Sequence, residues 1–407
     1  MNKEPLGRMF GLAVGLVGLL GVGCLQPQRL PAGERSSAIR LALIESQPIE
    51  TRLDRADLAE AAPTWIAMID AAQQSLDFAE YYASEAEPIW REHSRLSAVI
   101  DAVTRAVRRG VRVRFLTDAK MALQYPDTLA ALAAAGVSVL RLDLQPLSGG
   151  VFHAKYFVVD GREAFVGSQN FDWRALSHTQ ELGVRLASRG LSRQLLSLFA
   201  YDWALAMGQA GANPPSLPPA DRGPALEPRS DGDAVSLVAS PRDHLPPGIA
   251  WELPQILALL AAAKSSIVVQ VMVLATHDRS GQAWLTLDGA LRQAAARGVR
   301  VRLLVSEWAL RGEARRSCSA LSDAIEVRVL HIPQWSGGEI PFSRVAHAKY
   351  LVVDGQQAWL GSSNWEERYF FKSRNVGLVL KGRGLPARMQ QFFDENWSSP
   401  YAEPWPR

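Results

Sequence analysis

The chain has 407 residues, 48% of them hydrophobic and 21% charged, so it is long enough for two or three cores and too apolar for large-scale disorder. Its 44 basic and 41 acidic residues leave a net charge of +3, which removes the global positive field that duplex DNA binders carry. Its two cysteines, Cys24 and Cys318, exclude a disulfide framework, and Cys318 has no metal-ligand spacing around it. Cys318 therefore reads as structural, and no metal or cofactor is expected.

At the N-terminus, Lys3 and Arg8 precede an apolar run from Met9 to Gly23 that is short for a membrane span and has the shape of a targeting segment. The run closes on Leu20-Gly21-Val22-Gly23-Cys24. This resembles the lipobox of bacterial lipoproteins, with Gly21 departing from the Leu or Val usual at its position. Residues 1–24 are thus expected to be a signal peptide or lipoprotein-type anchor and 25–40 a polar tether. The remainder would be an extracytoplasmic protein of the bacterial cell envelope, held at a membrane surface by its anchor or secreted.

From Leu41 onward the chain reads twice, with a period of about 190 residues. Helix-like Ala67 to Asp77 runs into an apolar strand, and Ala106 to Leu116 gives a helix end, a Gly and a strand. Leu259 to Ile267 and Ala296 to Leu304 repeat both elements. Helices alternating with short β-branched strands predict an α/β domain in each half, a mixed sheet flanked by helices. The halves run 41–208 and 234–407, and the Pro-rich stretch 209–233 between them reads as an exposed linker. Arg alternating with Val at Arg109 to Arg114 and Arg297 to Arg302 is the pattern of a half-buried strand; a basic track for a polyanion is the sharper alternative.

Late in each half the same six residue types recur at identical spacing. His153, Lys155, Asp160, Gly167, Ser168 and Asn170 form the first set, and His347, Lys349, Asp354, Gly361, Ser362 and Asn364 the second. Residues two apart on a strand share a face, so each His and Lys point together. Asp160 and Asp354 count among the motif's catalytic members by position, but their parity is opposite and a Gly follows each, so they read mainly as turn residues. Gly167 and Gly361 are expected to let backbone approach a ligand, with Ser168, Asn170, Ser362 and Asn364 donating to it. A phosphodiester needs a nucleophile, a proton for the leaving oxygen and donors for its charged oxygens. Two copies of this set supply all three: one imidazole attacks phosphorus and the other protonates the leaving group.

Both motifs match the His-Lys-Asp signature, and from Leu41 to the C-terminus the chain resembles the phospholipase D superfamily. Gly167 to Arg174, Glu181-Leu182-Gly183, Ser363-Asn364-Trp365, Tyr369-Phe370 and the early Ile44-Glu45-Ser46 look like the subfamily of phospholipases D3 and D4 and the poxvirus envelope phospholipase-like proteins. The resemblance implies two homologous domains related by a pseudo-twofold axis, one shared site, and no obligate protein partner to complete it. It also implies an acid near the position 28 residues after a catalytic His; that makes Glu181 the orienter of His153, whereas Asn375 stands at the same distance from His347. On this pairing His153 is the nucleophile and His347 the general acid. The family's substrates include lipid phosphodiesters and single-stranded nucleic acid. The expected anchor and near-neutral charge favour a phospholipid headgroup, with an extracytoplasmic nuclease on single-stranded DNA or RNA as the alternative.

Trp173, Trp365, Tyr369 and Phe370 are candidates either for a substrate groove or for packing. Glu80, Tyr81 and Tyr82 stand at the end of the first apolar run, able to face a cleft or finish a core strand. His93, His178 and His244 read as surface or loop histidines.

Overall fold

A computed structural model describes residues 40–208, 227–228, 234–278 and 280–406. The expected leader, most of the tether and most of the linker lie outside the described residues. Glu227–Pro228, inside that expected linker, pairs with the sheet edge that follows it. Among the described residues no helix is long and apolar enough to cross a membrane.

Each half folds as a mixed seven-strand sheet with extra short edge strands. In the first half the strands are β1 (Arg40–Ser46), β2 (Ser75–Glu80), β3 (Arg112–Asp118), β4 (Ser138–Leu142), β5 (Lys155–Val159), β6 (Glu163–Gly167) and β7 (Glu181–Ala187). The second repeats them as β8 (Ala234–Ser240), β9 (Ser266–Val271), β10 (Arg300–Ser306), β11 (Glu326–Leu330), β12 (Tyr350–Val353), β13 (Gln357–Gly361) and β14 (Asn375–Lys381). The spatial order is 1-7-6-5-2-3-4 in the first sheet and 8-14-13-12-9-10-11 in the second. β2, β3 and β4 run parallel and the rest of the sheet antiparallel, as do their counterparts.

The middle strands are buried on both faces: β9 reads as a nearly continuous apolar run, while β2 places the buried carboxylates Asp77 and Glu80 among its apolar residues. Helices α1 (Ala61–Asp70) and α2 (Leu96–Arg108) cover the outer face of the first sheet. There Trp65, fully buried, meets Phe157 and Phe165 edge-on and stacks on Phe171, so its truncation would cost about 3–5 kcal/mol. Helices α4 (Glu252–Ala262) and α5 (Thr286–Ala296) do the same for the second sheet. The inner faces of both sheets share one core with α3 (Arg189–Ala206) and α6 (Leu385–Ser398).

The repeated Arg-Gly-Val at the ends of α2 and α5 is a helix stop. Gly110 and Gly298 adopt φ near +86° and +87°, and Val111 and Val299 donate back to Ala106 and Ala294. Of the arginines beyond them, Arg114 and Arg302 are engaged within the fold. Arg114 pairs with Asp77 and lies over Phe199 and Trp203, while Arg302 pairs with Asp394 and lies over Phe393 and Trp397. Each guanidinium thereby ties its sheet to the shared core. Cys318 is buried and free, its thiol pushed up to about 12 by burial and then by Asp288.

Candidate active site

β5 and β12 deliver the two motifs to one place. His153 and His347, each just before its strand, line the same cavity of about 390 Å³, together with Asn170, Asn364 and Glu181. The motif aspartates are elsewhere. Asp160 and Asp354 adopt φ of +51° and +52° and precede left-handed Gly161 and Gly355, which makes them the first residue of tight Asp-Gly hairpin turns. Asp160 accepts the backbone N–H groups of Gln73, Gln74 and Ser75 at 2.7–3.0 Å, and Asp354 those of Lys264, Ser265 and Ser266. Burial opposes the charge on Asp354, but the Ser265 hydroxyl and these N–H groups outweigh it and hold the carboxyl at about 2. Both aspartates therefore lock the start of β2 or β9 onto the catalytic hairpin, and a catalytic role for either is corrected to a structural one.

The glycines and serines are also corrected. A Cβ on Gly167 would fall 2.8 Å from the Phe165 ring and 2.9 Å from Cα of Gly183, its cross-strand partner, and one on Gly361 would fall 3.0 Å from Cα of Gly377. These glycines permit close strand packing rather than approach to a ligand. Ser168 Oγ donates to the Leu182 carbonyl and accepts the Leu182 N–H; Ser362 Oγ donates to Asn375 Oδ1 and accepts the Val376 N–H. Fully buried and committed on both sides, the two hydroxyls brace the sheet instead of donating to substrate. Asn170 and Asn364 do reach the cavity, and their amide oxygens have no partner among the described residues.

The imidazole partners cross between halves. His347 Nδ1 lies 2.8 and 2.9 Å from the two oxygens of Glu181, and His153 Nδ1 lies 3.0 Å from Asn375 Oδ1. The expectation that Glu181 orients His153 is overturned, and the reason is backbone. The residue before each orienter pairs with the segment before the other half's histidine: Gln180 bridges Ala346, and Arg374 bridges Phe152. His347 N–H donates to the Gln180 carbonyl and His153 N–H to that of Arg374. The Arg374 guanidinium is fully buried on Asp202 of α3 and on the carbonyls of Ser240 and His244, so this crossing is anchored through both halves. Losing one partner of such a pair costs about 3–5 kcal/mol.

The crossed partners set different proton states. The Asn375 amide N–H groups are spent on the carbonyls of Tyr369 and Ser373, so its oxygen faces His153 and requires a proton on Nδ1. That leaves Nε2 with a lone pair. Burial, and then the ammonium groups of Lys155 and Lys349, hold His153 well below the usual imidazole range. Burial also lowers His347, but the Glu181 carboxylate, itself held by the Thr179 hydroxyl at 2.8 Å, pulls it back toward imidazolium. Behind them, Lys155 and Lys349 are fully buried and each donates to the backbone carbonyl of its own motif histidine. Burial brings Lys349 down to about 7, and burial with the charge of Lys349 takes Lys155 well below its ordinary value. Two ammoniums placed together in a dry site are stable as charges only with an anion between them.

A family model described as cardiolipin synthase, PLD-like domain, matches residues 65–203 and again 256–397. The chain belongs to the phospholipase D superfamily. The mouse (Mus musculus) 5'-3' exonuclease PLD4 is 31% identical over 412 residues, covering 91% of this chain and 80% of that protein. The human (Homo sapiens) 5'-3' exonuclease PLD3 is 32% identical over 378 residues, covering 83% and 74%. Among solved structures, the phosphatidylserine synthase of Haemophilus influenzae Rd KW20 has a TM-score of 0.58 at 14% identity, covering 84% of this chain and 85% of that one, a likeness of fold alone. The site is thus that of a phosphodiester hydrolase of the phospholipase D superfamily, with both motifs of the superfamily intact.

Several residues around this phospholipase D-type site were not legible as a set. Tyr81 and Tyr369 pack their rings against His153 at 4.7 and 5.0 Å, Tyr82 stacks on Tyr125 at 5.0 Å, and all four line the cavity. Of the aromatic groove candidates only Tyr369 reaches it, because Trp173, Trp365 and Phe370 are buried in packing. Glu80 stands opposite Lys155 in the β2–β5 register, and burial raises its carboxyl well above the ordinary range. His178 is buried, edge-on to Trp173 and Trp335, which corrects its expected surface position. Asp118, at the end of β3, accepts the Phe152 N–H at 2.8 Å and so fixes the approach to His153.

Proposed function

We propose that this chain is a metal-independent phosphodiesterase of single-stranded nucleic acid, with His153 as nucleophile and His347 as general acid. Lys155 and Lys349 would hold the phosphodiester charge, with Asn170 and Asn364 as further contacts at the cavity wall. Nε2 of His153 attacks phosphorus, forming a P–N bond as the P–O bond to the leaving group breaks. His347, drawn toward imidazolium by Glu181, gives its proton to the departing oxygen. It then takes a proton from water, which attacks phosphorus and returns His153 to its neutral form. The assignment matches the one expected from sequence, but its basis is reversed: the carboxylate supports the acid, and the amide leaves the nucleophile uncharged.

The observation that carries the substrate reading is the wall of the cavity. Tyr81, Tyr82, Tyr125, Trp308, Phe342 and Tyr369 surround the two histidines, flat rings suited to nucleobases rather than an aliphatic slot for acyl chains. The relatives at 31% and 32% identity are named 5'-3' exonucleases, which supports the same choice. Nucleic acid therefore replaces the phospholipid headgroup as the preferred substrate. The test is the purified protein beside His153→Ala, with chelator present, on end-labelled single-stranded DNA and on phosphatidylcholine vesicles. Nucleotide release that vanishes in the variant is expected. Headgroup release with intact DNA would reverse the substrate choice, and dependence on added metal would contradict the mechanism.

A further inference from the structure

Trp308 and Phe342 are exposed to 41% and 63%, yet both line the cavity that holds the catalytic histidines. They come from separate segments of the second half. Trp308 lies in the short helix Glu307–Leu310 after β10, and Phe342 lies five residues before His347. The rings meet edge to face, with centroids 6.1 Å apart. From there the surface opens two ways: Trp308 also lines an adjoining cavity of about 610 Å³ on one side, and Phe342 one of about 350 Å³ on the other.

Neither ring is exposed through looseness. Phe342 holds φ at +61°, in the left-handed region that a bulky residue rarely enters, and Arg344 holds +55°. The segment is bolted on both sides of the ring. Arg174 Nη1 donates to the Pro341 carbonyl, Arg344 donates to the carbonyls of Pro333 and Ile49, and Arg344 N–H donates to His178. Trp308 is held by its N–H on Ser306 Oγ, which in turn donates to the Met272 carbonyl. Surrounding structure thus fixes two apolar rings in solvent at the mouth of a phosphodiester site. A preset aromatic surface in that place has little packing value and much value as a contact for a flat ligand.

We propose that Trp308 and Phe342 form a stacking platform for a nucleobase of the substrate next to the scissile phosphate. The proposal rests on the nucleic-acid reading above. Stacking accepts any base, so the platform would supply affinity without sequence preference. It would also hold the strand while His347 protonates the leaving oxygen.

The test compares the wild-type chain with Trp308→Ala and Phe342→Ala, and with the conservative Trp308→Phe and Phe342→Tyr. Each is assayed on a single-stranded DNA oligonucleotide and on the same oligonucleotide with abasic residues flanking the cleaved bond. Each alanine variant is expected to raise KM on the normal oligonucleotide about tenfold, the order of loss when one stacking ring is removed. It should change little on the abasic one, and the conservative variants should restore most of the affinity. Wild-type kinetics in both alanine variants would overturn the platform alone, as would an equal loss on normal and abasic substrates. Binding to phosphatidylcholine vesicles that both variants lose, with oligonucleotide kinetics unchanged, would also overturn it and assign the rings to a membrane surface. A wild-type chain that hydrolyses phospholipid but leaves the oligonucleotide intact would overturn the nucleic-acid reading itself, and the platform with it.

Discussion

His153 and His347 stand at equivalent points of two seven-strand sheets with the same strand order, one facing an amide and the other a carboxylate. The scaffold around them is symmetric in strand order, in the Asp-Gly turns and in the helix-ending glycines. Among the side chains that set charge the halves differ: Glu181 stands against Asn375, and Glu80 is in register with Lys155 where the β9–β12 pair ends at Gln270 and Tyr350. A duplicated fold brings two identical imidazoles together, and a two-step displacement needs them different, one uncharged and one protonated. The Glu181 carboxylate supplies a difference, because it opposes at His347 the burial that lowers both imidazoles.

The largest effect should come from erasing the difference on the acid side. Glu181→Gln leaves the hydrogen bond to His347 but removes the charge. His347 then gives up its proton at lower pH, and kcat should fall about 100-fold on a nucleotide leaving group. A nitrophenyl ester of a nucleotide, whose leaving group needs no proton, should lose far less; equal losses on both substrates would mean that Glu181 serves structure only. Smaller in size is the converse change. Asn375→Asp places a carboxylate on His153, favours its imidazolium, and should move the acid limb of the kcat/KM profile upward by about one pH unit, a tenfold loss below that limb. An unmoved limb would remove His153 from the role of neutral nucleophile. Smallest for activity are the aspartates of the turns. Asp354→Asn should cost about 2 kcal/mol in denaturant unfolding while kcat stays within about twofold. The Asp354 carboxyl is held at about 2, below its unfolded value, so its stabilisation is present above the unfolded value and lost as pH falls toward 2. The stability difference from Asp354→Asn should therefore shrink across that acidic window.

Much of this was legible because a repeat constrains itself. Two copies of His-x-Lys at equal spacing identified the chemistry, and the parity of Asp160 with the Gly after it gave the turn. The helix stops at Gly110 and Gly298 were readable for the same local reason. What failed was what packing decides, within each half and between them. Glu181 is 28 residues from His153 in sequence and reaches His347 instead, because single backbone bridges at Gln180 and Arg374 seat the start of each strand beside the other half's motif histidine. Ser168 and Ser362 looked like donors to a ligand since sequence shows a hydroxyl but not the backbone that consumes it. The aromatic wall was hidden by composition: Trp173, Trp365 and Phe370 are as aromatic as Tyr125 and Trp308, and only packing separates the core from the cleft.

The central claim is that the histidine paired with the amide is the one that attacks. Its most direct measurement is single-turnover reaction of His347→Asn with a nucleotide nitrophenyl ester, which bypasses the missing acid, quenched with denaturant at alkaline pH where the P–N bond survives, followed by mass spectrometry of the phosphorylated peptide. The adduct is expected on His153, persistent because no His347 remains to activate water. An adduct on His347 in the reciprocal His153→Asn protein, with none on His153, would contradict the account.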